Sequence, residues 1–556
     1  MRNSRLTDHY SLLTIKVLSY LNKFVLKNLS LPDISIILIY LAAMVAVGIY
    51  FSRKNKTAEQ FTKASGKIPS WAIGLSLYAT FLSSNTFLGV PGKAFGSNWN
   101  AFVFSLSMPL AAWIATKYFV PFYRRSGEIS AYTHFENRFG PWARTYAVIC
   151  FLLTQLARIG SVFFGIALSL QALTGYGMAV IMIVMGICII IYTVAGGMEA
   201  IIWTEVVQAV LKTFGAVLIL YLVIEGMPGG VSKIIEIGQH DHKFSLGGFS
   251  PDLTKSTFWV ILLYGFFINL NNFGMDQNYV QRYHTASSAK GAARSVWLCV
   301  KLYVPISLLF FIIGTCLYAY YQVHPGLTET IRLQAAAERL PSSATPEMIS
   351  KTAALLKPAD FGDKIMPHFM VTQLPVGALG LIISAILAAA MSTISSGMNA
   401  SATVFTEDIY KRYFNKSAIG KKSLSVLYVS TFIFGVLGMV TGIALIGTGS
   451  ILDIWWVLSG IFATGMLGLF LLGIISHYTG NVEAFIATII GILVIVWMAL
   501  PQLIPEKYAS LRNPLDKNLI IVIGTIVIFF SGILITKIRK TLKLREGINN
   551  DGTNEL

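Results

Sequence analysis

The sequence predicts an all-α integral membrane protein with about 13 transmembrane helices, and three observations lead there. Hydrophobic residues fill 55% of the 556 positions and charged residues only 12%, roughly half the charged share of a soluble domain. Helix-sized apolar stretches recur from residue 31 almost to the C-terminus, each long enough for a hydrocarbon layer about 30 Å thick. Lys and Arg gather in alternate linkers between those stretches, as the positive-inside rule requires.

Taken in order, residues 1–30 form an N-terminal extension. Within it, Ile15 to Leu29 mixes apolar residues with Lys16, Lys23 and Lys27; it reads either as an interfacial helix or as an unstructured lead. The first span is Leu31 to Phe51, and no small-residue cleavage pattern follows it, so a signal peptide is a poor reading. Further candidates lie near 71–95, 101–122, 142–173, 177–193, 203–225, 258–280, 296–320, 370–400, 424–446, 452–475, 482–501 and 518–537. The longest polar excursion, 323–369, balances five basic residues against five acidic ones and is expected to hold one or two short helices outside the membrane.

One set of linkers carries Arg53, Lys54, Lys56, Lys63 and Lys67, then Arg124, Arg125 and Arg138, then Arg282, Lys290 and Arg294, and later Lys411, Arg412, Lys416, Lys421 and Lys422. The tail after the last span adds Lys537, Arg539, Lys540, Lys543 and Arg545. The opposite short loops near 96–100, 174–176 and 446–451 have no Lys or Arg. This asymmetry places the N-terminus outside and the C-terminus in the cytoplasm. The net charge of +17 therefore serves topology and lipid headgroups, not a nucleic-acid surface. Cys150, Cys188, Cys299 and Cys316 all fall in spans without CxxC spacing and read as packing residues. HExxH, GxSxG and Walker-type sequences are absent, which argues against an enzyme.

Function is sought where a span carries polar side chains together with helix breakers. In Trp71 to Phe95, Ser83, Ser84, Asn85 and Thr86 are followed by Gly89, Pro91 and Gly92, so an unwound or kinked middle is expected. Carbonyls freed there need protein, water or a cation; hydroxyls and carbonyls suit a hard monovalent cation, although Ser and Gly also serve plain helix contacts. In Leu379 to Thr403, Ala389, Ser392, Thr393, Ser395 and Ser396 fall mostly on one helical face. In Phe258 to Tyr283, Asn269, Asn271, Asn272, Asp276, Gln277 and Asn278 favour the wall of a cavity for a polyhydroxylated or zwitterionic solute, with Gly274 able to open the backbone. Arg158 sits near the middle of its span with no acid on its own helix. A ligand carboxylate, a structural partner such as Glu205, or snorkelling would each relieve it. Glu205, in WTEVVQAVLKTF, either caps a first helical turn or attracts a cation.

The opening of the second span, IYTVAGGMEAIIWTEVVQ at 191–208, DQNYVQRY at 276–283, the serine-rich ninth span and FTEDIYKRY at 405–413 together resemble the sodium/solute symporter family over about 31–540. Within it the chain is most similar to bacterial sodium/sialic acid symporters. The resemblance implies two inverted five-helix repeats with broken first helices, at 71–225 and 258–475. One extra helix at 31–51 would precede them, and two C-terminal helices at 482–540 and a cytoplasmic tail at 541–556 would follow. It implies sodium as the coupled ion, an anionic sugar acid as cargo, a cell-membrane location and no obligate protein partner. It assigns one sodium site to the carbonyls of Ala79, Leu82 and Ala389 and the hydroxyls of Ser392 and Thr393. A second sodium site maps to Ser392, Ser395, Ser396 and Glu205, where the family residue is aspartate. The carboxylate-binding arginine falls on Arg158, with Ser83 and Thr86 as further contacts. Ser105 stands where the sialic acid group has glutamine, Ala101 where it has phenylalanine, and Asn271 and Asn272 where it has glutamines, so the pocket is re-shaped. The expected function is sodium-coupled uptake of sialic acid by alternating access. The alternatives are symport of another acidic or neutral sugar or of a zwitterion such as proline, and, further off, a channel or a sensor.

Overall fold

The computed structural model describes residues 29–52, 57–64, 66–341, 343–416, 420–447, 451–500 and 510–551. The amphipathic stretch expected at 15–29 lies almost wholly outside them, as do Arg53, Lys54 and Lys56. Among the described residues no strand occurs beyond one isolated bridge between Ile68 and Ala286, and the chain is a multi-pass helical bundle. Among the described residues, eleven helices are long and apolar enough to cross a membrane, and a bent pair makes up to twelve.

In chain order the main helices are α1 (Leu31–Ser52), α2 (Ser70–Phe81) and α3 (Ser84–Gly96), then α4 (Trp99–Ser126), α5 (Pro141–Thr174), the shorter α6 (Met178–Val194) and α7 (Gly196–Glu225). There follow α8 (Phe258–Met275), α9 (Gln277–Thr285), α10 (Ala289–Val323), α11 (Ala378–Val404), α12 (Lys421–Ala444), α13 (Ile451–Ile475), α14 (Asn481–Ala499) and α15 (Ile520–Asp551). Each expected span has a helical counterpart, but α6 is shorter than the helices long enough to cross, so among the described residues the count reaches twelve and not thirteen. α6 and α7 run on as one helical path except at Gly197, whose φ of 61° and ψ of −173° mark a kink.

α11 is the central stave. Nearly every residue from Leu379 to Val404 is buried, because its alanines, serines and glycines let α1, α2, α5, α7 and α12 approach closely. Its start is capped from another helix: Asp33 Oδ1 of α1 accepts from the backbone N–H groups of Gly377 at 2.9 Å and Gly380 at 2.7 Å. α14 and α15 pack against each other and on α13 at the periphery. The excursion after α10 holds three α-helices, Pro325–Ala337, Pro346–Leu355 and Gly362–Gln373, one more than expected.

Two spans are interrupted. α2 and α3 meet at 53°, with Leu82 (φ −90°, ψ 88°) and Ser83 (φ −98°, ψ 176°) extended between them. The break therefore falls at the start of the polar run. Gly89, Pro91 and Gly92, expected to help unwind this span, lie inside continuous helix. Their role is close packing: a Cβ on Gly92 would stand 2.7 Å from the backbone of Gly362, and one on Gly314 2.5 Å from the Pro91 carbonyl.

The second interruption is at Asp276 (φ −71°, ψ 117°), between α8 and α9. Gly274 itself stays helical. The carbonyls beside this break are taken up by tyrosine hydroxyls: Tyr283 to Phe273 at 2.8 Å, Tyr123 to Gly274 at 2.7 Å and Tyr132 to Met275 at 3.0 Å. Protein thus satisfies backbone that the hydrocarbon cannot.

Candidate functional site

The broken α2/α3 pair lines one wall of a partly open cavity. Ser83 and Thr86 border it, because the break turns the start of α3 toward the bundle centre, and so do Ser105, Arg158, Asn272 and Thr393. Phe81, Phe104, Tyr264, Tyr279, Trp455 and Trp456 supply apolar faces. Ala101 also lines it, a small side chain that leaves room. Ser105 and Ser307 share a hydroxyl contact at 2.7 Å on its wall.

Two of the expected cargo contacts are not on this wall. Asn269 is fully buried and donates to Ser107 Oγ at 3.2 Å and the Phe104 carbonyl at 3.4 Å, tying α8 to α4. Asn271 is buried without facing the cavity, and its carbonyl accepts from the Asp276 N–H at 3.2 Å. On a helix, 269, 271 and 272 point in three directions, and only the last faces inward. Gln277 and Asn278 also tie elements together, Gln277 to Ala131 and Ile129 and Asn278 to Gln155.

Arg158 is 8% exposed, faces the cavity and stands with its guanidinium carbon 5.1 Å from the Trp455 ring centre. Its Nη1 is 3.0 Å from Asp276 Oδ2, but that nitrogen makes no hydrogen bond. The structural partner is therefore Asp276, at the second helix break, and not Glu205.

Glu205 lies in the interior of α7, completely buried, so it is not a first-turn cap. Arg282 Nη2 donates to its Oε1 at 2.9 Å and Oε2 at 2.7 Å, and to Ser396 Oγ at 2.7 Å. Arg282 Nε reaches Ser76 Oγ at 2.7 Å, and both Ser76 and Ser396 donate to the Glu205 carboxylate. Arg282, counted from the sequence among linker charges, is 0% exposed at the end of α9. Of the proposed second-site oxygens, Ser396 touches Glu205 directly, while Ser395 donates to the Ser392 carbonyl at 3.3 Å.

The first expected ion site is assembled by the α2/α3 break and α11. Ser392 Oγ donates to the carbonyls of Ala79 at 3.2 Å and Ala389 at 3.1 Å, and Thr393 Oγ1 to Ala389 at 3.2 Å. Into this group reaches a side chain that the sequence reading did not single out. Lys212 of α7 is fully buried, and its Nζ donates to the carbonyls of Ala79 at 2.8 Å and Leu82 at 3.0 Å and to Ser392 Oγ at 2.5 Å. Three N–H bonds meet three oxygens, which exhausts the ammonium's capacity. The signal was present in the sequence: Lys212 is a lone cation amid VVQAVLKTFGAVLIL, as anomalous there as Arg158 in its own span.

Residues 61–491 match the model of the Sodium:solute symporter family. The chain belongs to that family. Among curated relatives of this symporter, the sodium/sialic acid symporter NanT of Aliivibrio fischeri is 32% identical over 526 residues, covering 93% of this chain and 94% of that protein. The sodium/sialic acid symporter SiaT of Proteus mirabilis is 33% identical over 462 residues, 82% of this chain and 87% of that one. A solved Na+-coupled sialic acid symporter in a substrate-bound outward-open state superposes with a TM-score of 0.77 at 30% identity, over 92% of this chain and 98% of that structure. The symporter is a membrane transporter, not an enzyme, and sodium is the ion for which its family is named.

Proposed function

We propose that this symporter couples inward sodium movement to uptake of sialic acid by alternating access, with its N-terminus outside and its C-terminus in the cytoplasm. The observation that carries the cargo is Arg158, a buried cation facing an amphipathic cavity whose Ser83, Thr86, Ser105 and Asn272 provide hydrogen-bonding groups for a sugar. A carboxylate entering beside the Arg158 guanidinium gains a charge-assisted bond in a dry setting. The two inverted repeats, 71–225 and 258–475, would rock about this point, each contributing one interrupted helix. The two relatives named for sodium and sialic acid support the choice of ion and cargo.

One observation favours a second cargo class. Arg158 already stands against Asp276, so a neutral sugar or a zwitterion fits without displacing that pairing. Purified protein in liposomes separates the two. Labelled N-acetylneuraminate should accumulate under an inward sodium gradient and resist competition by neutral sugars and proline, and Arg158→Ala should weaken its half-saturation roughly 10- to 100-fold. Equal uptake with potassium replacing sodium would reject coupling, and full competition by a neutral sugar would reject the acidic cargo.

A further inference from the structure

The two helix breaks pose the same physical problem, bare carbonyls at membrane depth, and meet it differently. At Asp276 neutral tyrosine hydroxyls cover the carbonyls. At Leu82 the cover is a cation, the Lys212 ammonium, held by three of the five residues assigned to the first sodium ion. One such group of oxygens accommodates one monovalent cation. A sodium ion among the carbonyls of Ala79 and Leu82 and the hydroxyl of Ser392 would overlap the Lys212 nitrogen and repel its charge.

The local charge count agrees. The nearest acid in this cluster, Glu205, is already matched by Arg282 in a pair with both side chains 0% exposed. Glu205, Arg282 and Lys212 together carry one net positive charge, the sum that Glu205, Arg282 and one sodium ion would carry. Thr393 Oγ1 is not among the contacts of Lys212: it donates to the Ala389 carbonyl at 3.2 Å, and Thr393 borders the cavity.

We infer that Lys212 is a tethered substitute for the first sodium ion: it holds the α2/α3 break against α11 permanently, and this symporter moves at most one sodium ion per cargo anion. That ion has to bind at the Glu205 and Ser395/Ser396 cluster, in exchange for a contact of Arg282. One sodium with one monoanion is an electroneutral cycle. The inference rests on the transport reading only for this stoichiometry, because occupancy of the oxygens by Lys212 can be tested without cargo.

The first measurement is the thermal midpoint of the full chain in detergent, titrated with sodium chloride against choline chloride. A bound ion stabilises by mass action, so the midpoint reads sodium binding directly. Thr393→Ala removes an oxygen that Lys212 does not use, and should leave the half-saturating sodium concentration within about twofold. Lys212→Met should create a new sodium-dependent stabilisation that the double variant Lys212→Met/Thr393→Ala loses. A tenfold or greater loss of sodium affinity in Thr393→Ala alone, on the order of 1.4 kcal/mol, would overturn the inference.

Should Lys212→Met not fold, charge movement decides. Imposing 100 mV, inside negative, on liposomes that take up N-acetylneuraminate should leave its steady-state accumulation unchanged. A rise of about 50-fold, the factor for one net charge, would overturn it. Absence of N-acetylneuraminate uptake would sink the proposed cargo, while the sodium titrations still decide the role of Lys212.

Discussion

The guanidinium of Arg158 and the carboxylate of Asp276 stand 3.0 Å apart across the second helix break, with Trp455 stacked on the cation. Asp276 also accepts from the N–H of Asn278 at 2.9 Å, so it is held in place while one edge of the arginine faces the cavity. A cargo carboxylate therefore adds to a cation that is already partly neutralised. Arg158→Ala should cost a hydrogen bond to a charged group, about 1.5–3 kcal/mol, or a roughly 10- to 100-fold weaker half-saturation for the acid. Asp276→Asn keeps the turn but leaves Arg158 without its counter-charge. Its thermal midpoint should fall without cargo, and the rise on adding N-acetylneuraminate should exceed that of the wild type. Measuring both midpoints with and without the acid checks this.

Glu205 and Arg282 form a completely buried pair, and such pairs are intolerant of losing one member. Glu205→Gln should destabilise by about 3–5 kcal/mol, because Arg282 is left as an uncompensated charge. The double variant Glu205→Gln/Arg282→Met should recover much of that loss. Denaturation midpoints of the three proteins measure it; a double variant no better than the single one would mean that the pair stabilises on balance.

Gly197 holds φ at 61° with ψ at −173° where α6 gives way to α7, a combination that a Cβ excludes. Gly197→Ala should cost about 1–3 kcal/mol, and because α7 carries both Glu205 and Lys212 it should also disturb sodium binding. Gly177 is the control, since a Cβ there meets nothing within 4 Å. Gly177→Ala should leave the thermal midpoint and the sodium titration unaltered.

Two histidines outside the spans make stability depend on pH. Burial, aided by the nearby positive charge of Arg138, lowers His134 to about 4, and burial alone lowers His368 to about 4. An unfolded chain takes up these protons near pH 6.5, whereas the folded one resists until about pH 4. Their contribution is therefore complete above pH 6.5 and is lost as pH falls toward 4. Thermal midpoints at pH 7.5, 6 and 4.5 should decline in that order, and the double variant His134→Gln/His368→Gln should flatten the decline.

The spans and the two that are interrupted were readable from the sequence, because length, hydropathy and side-chain polarity act locally; their limits were not, since the stretch expected at 370–400 is α11 at Ala378–Val404 behind a separate helix Gly362–Gln373. Arg158 could be marked as a cation in need of an anion on that local basis alone, whereas the place of Ser83 and Thr86 beside the cargo came from the resemblance to the family. Partnership was not readable. Whether Arg158 meets Asp276 or Glu205, whether Asn269 faces the cavity or Ser107, and that Arg282 is buried on Glu205 depend on how each helix is rotated against neighbours that come from distant parts of the chain. Lys212 is the clearest instance: its charge stood out in an apolar span, yet its meaning depends on α7 bringing it to carbonyls of Ala79 and Leu82, more than a hundred residues earlier. A buried charge must find its counterpart through space, and only the packed bundle decides which oxygens lie within its reach.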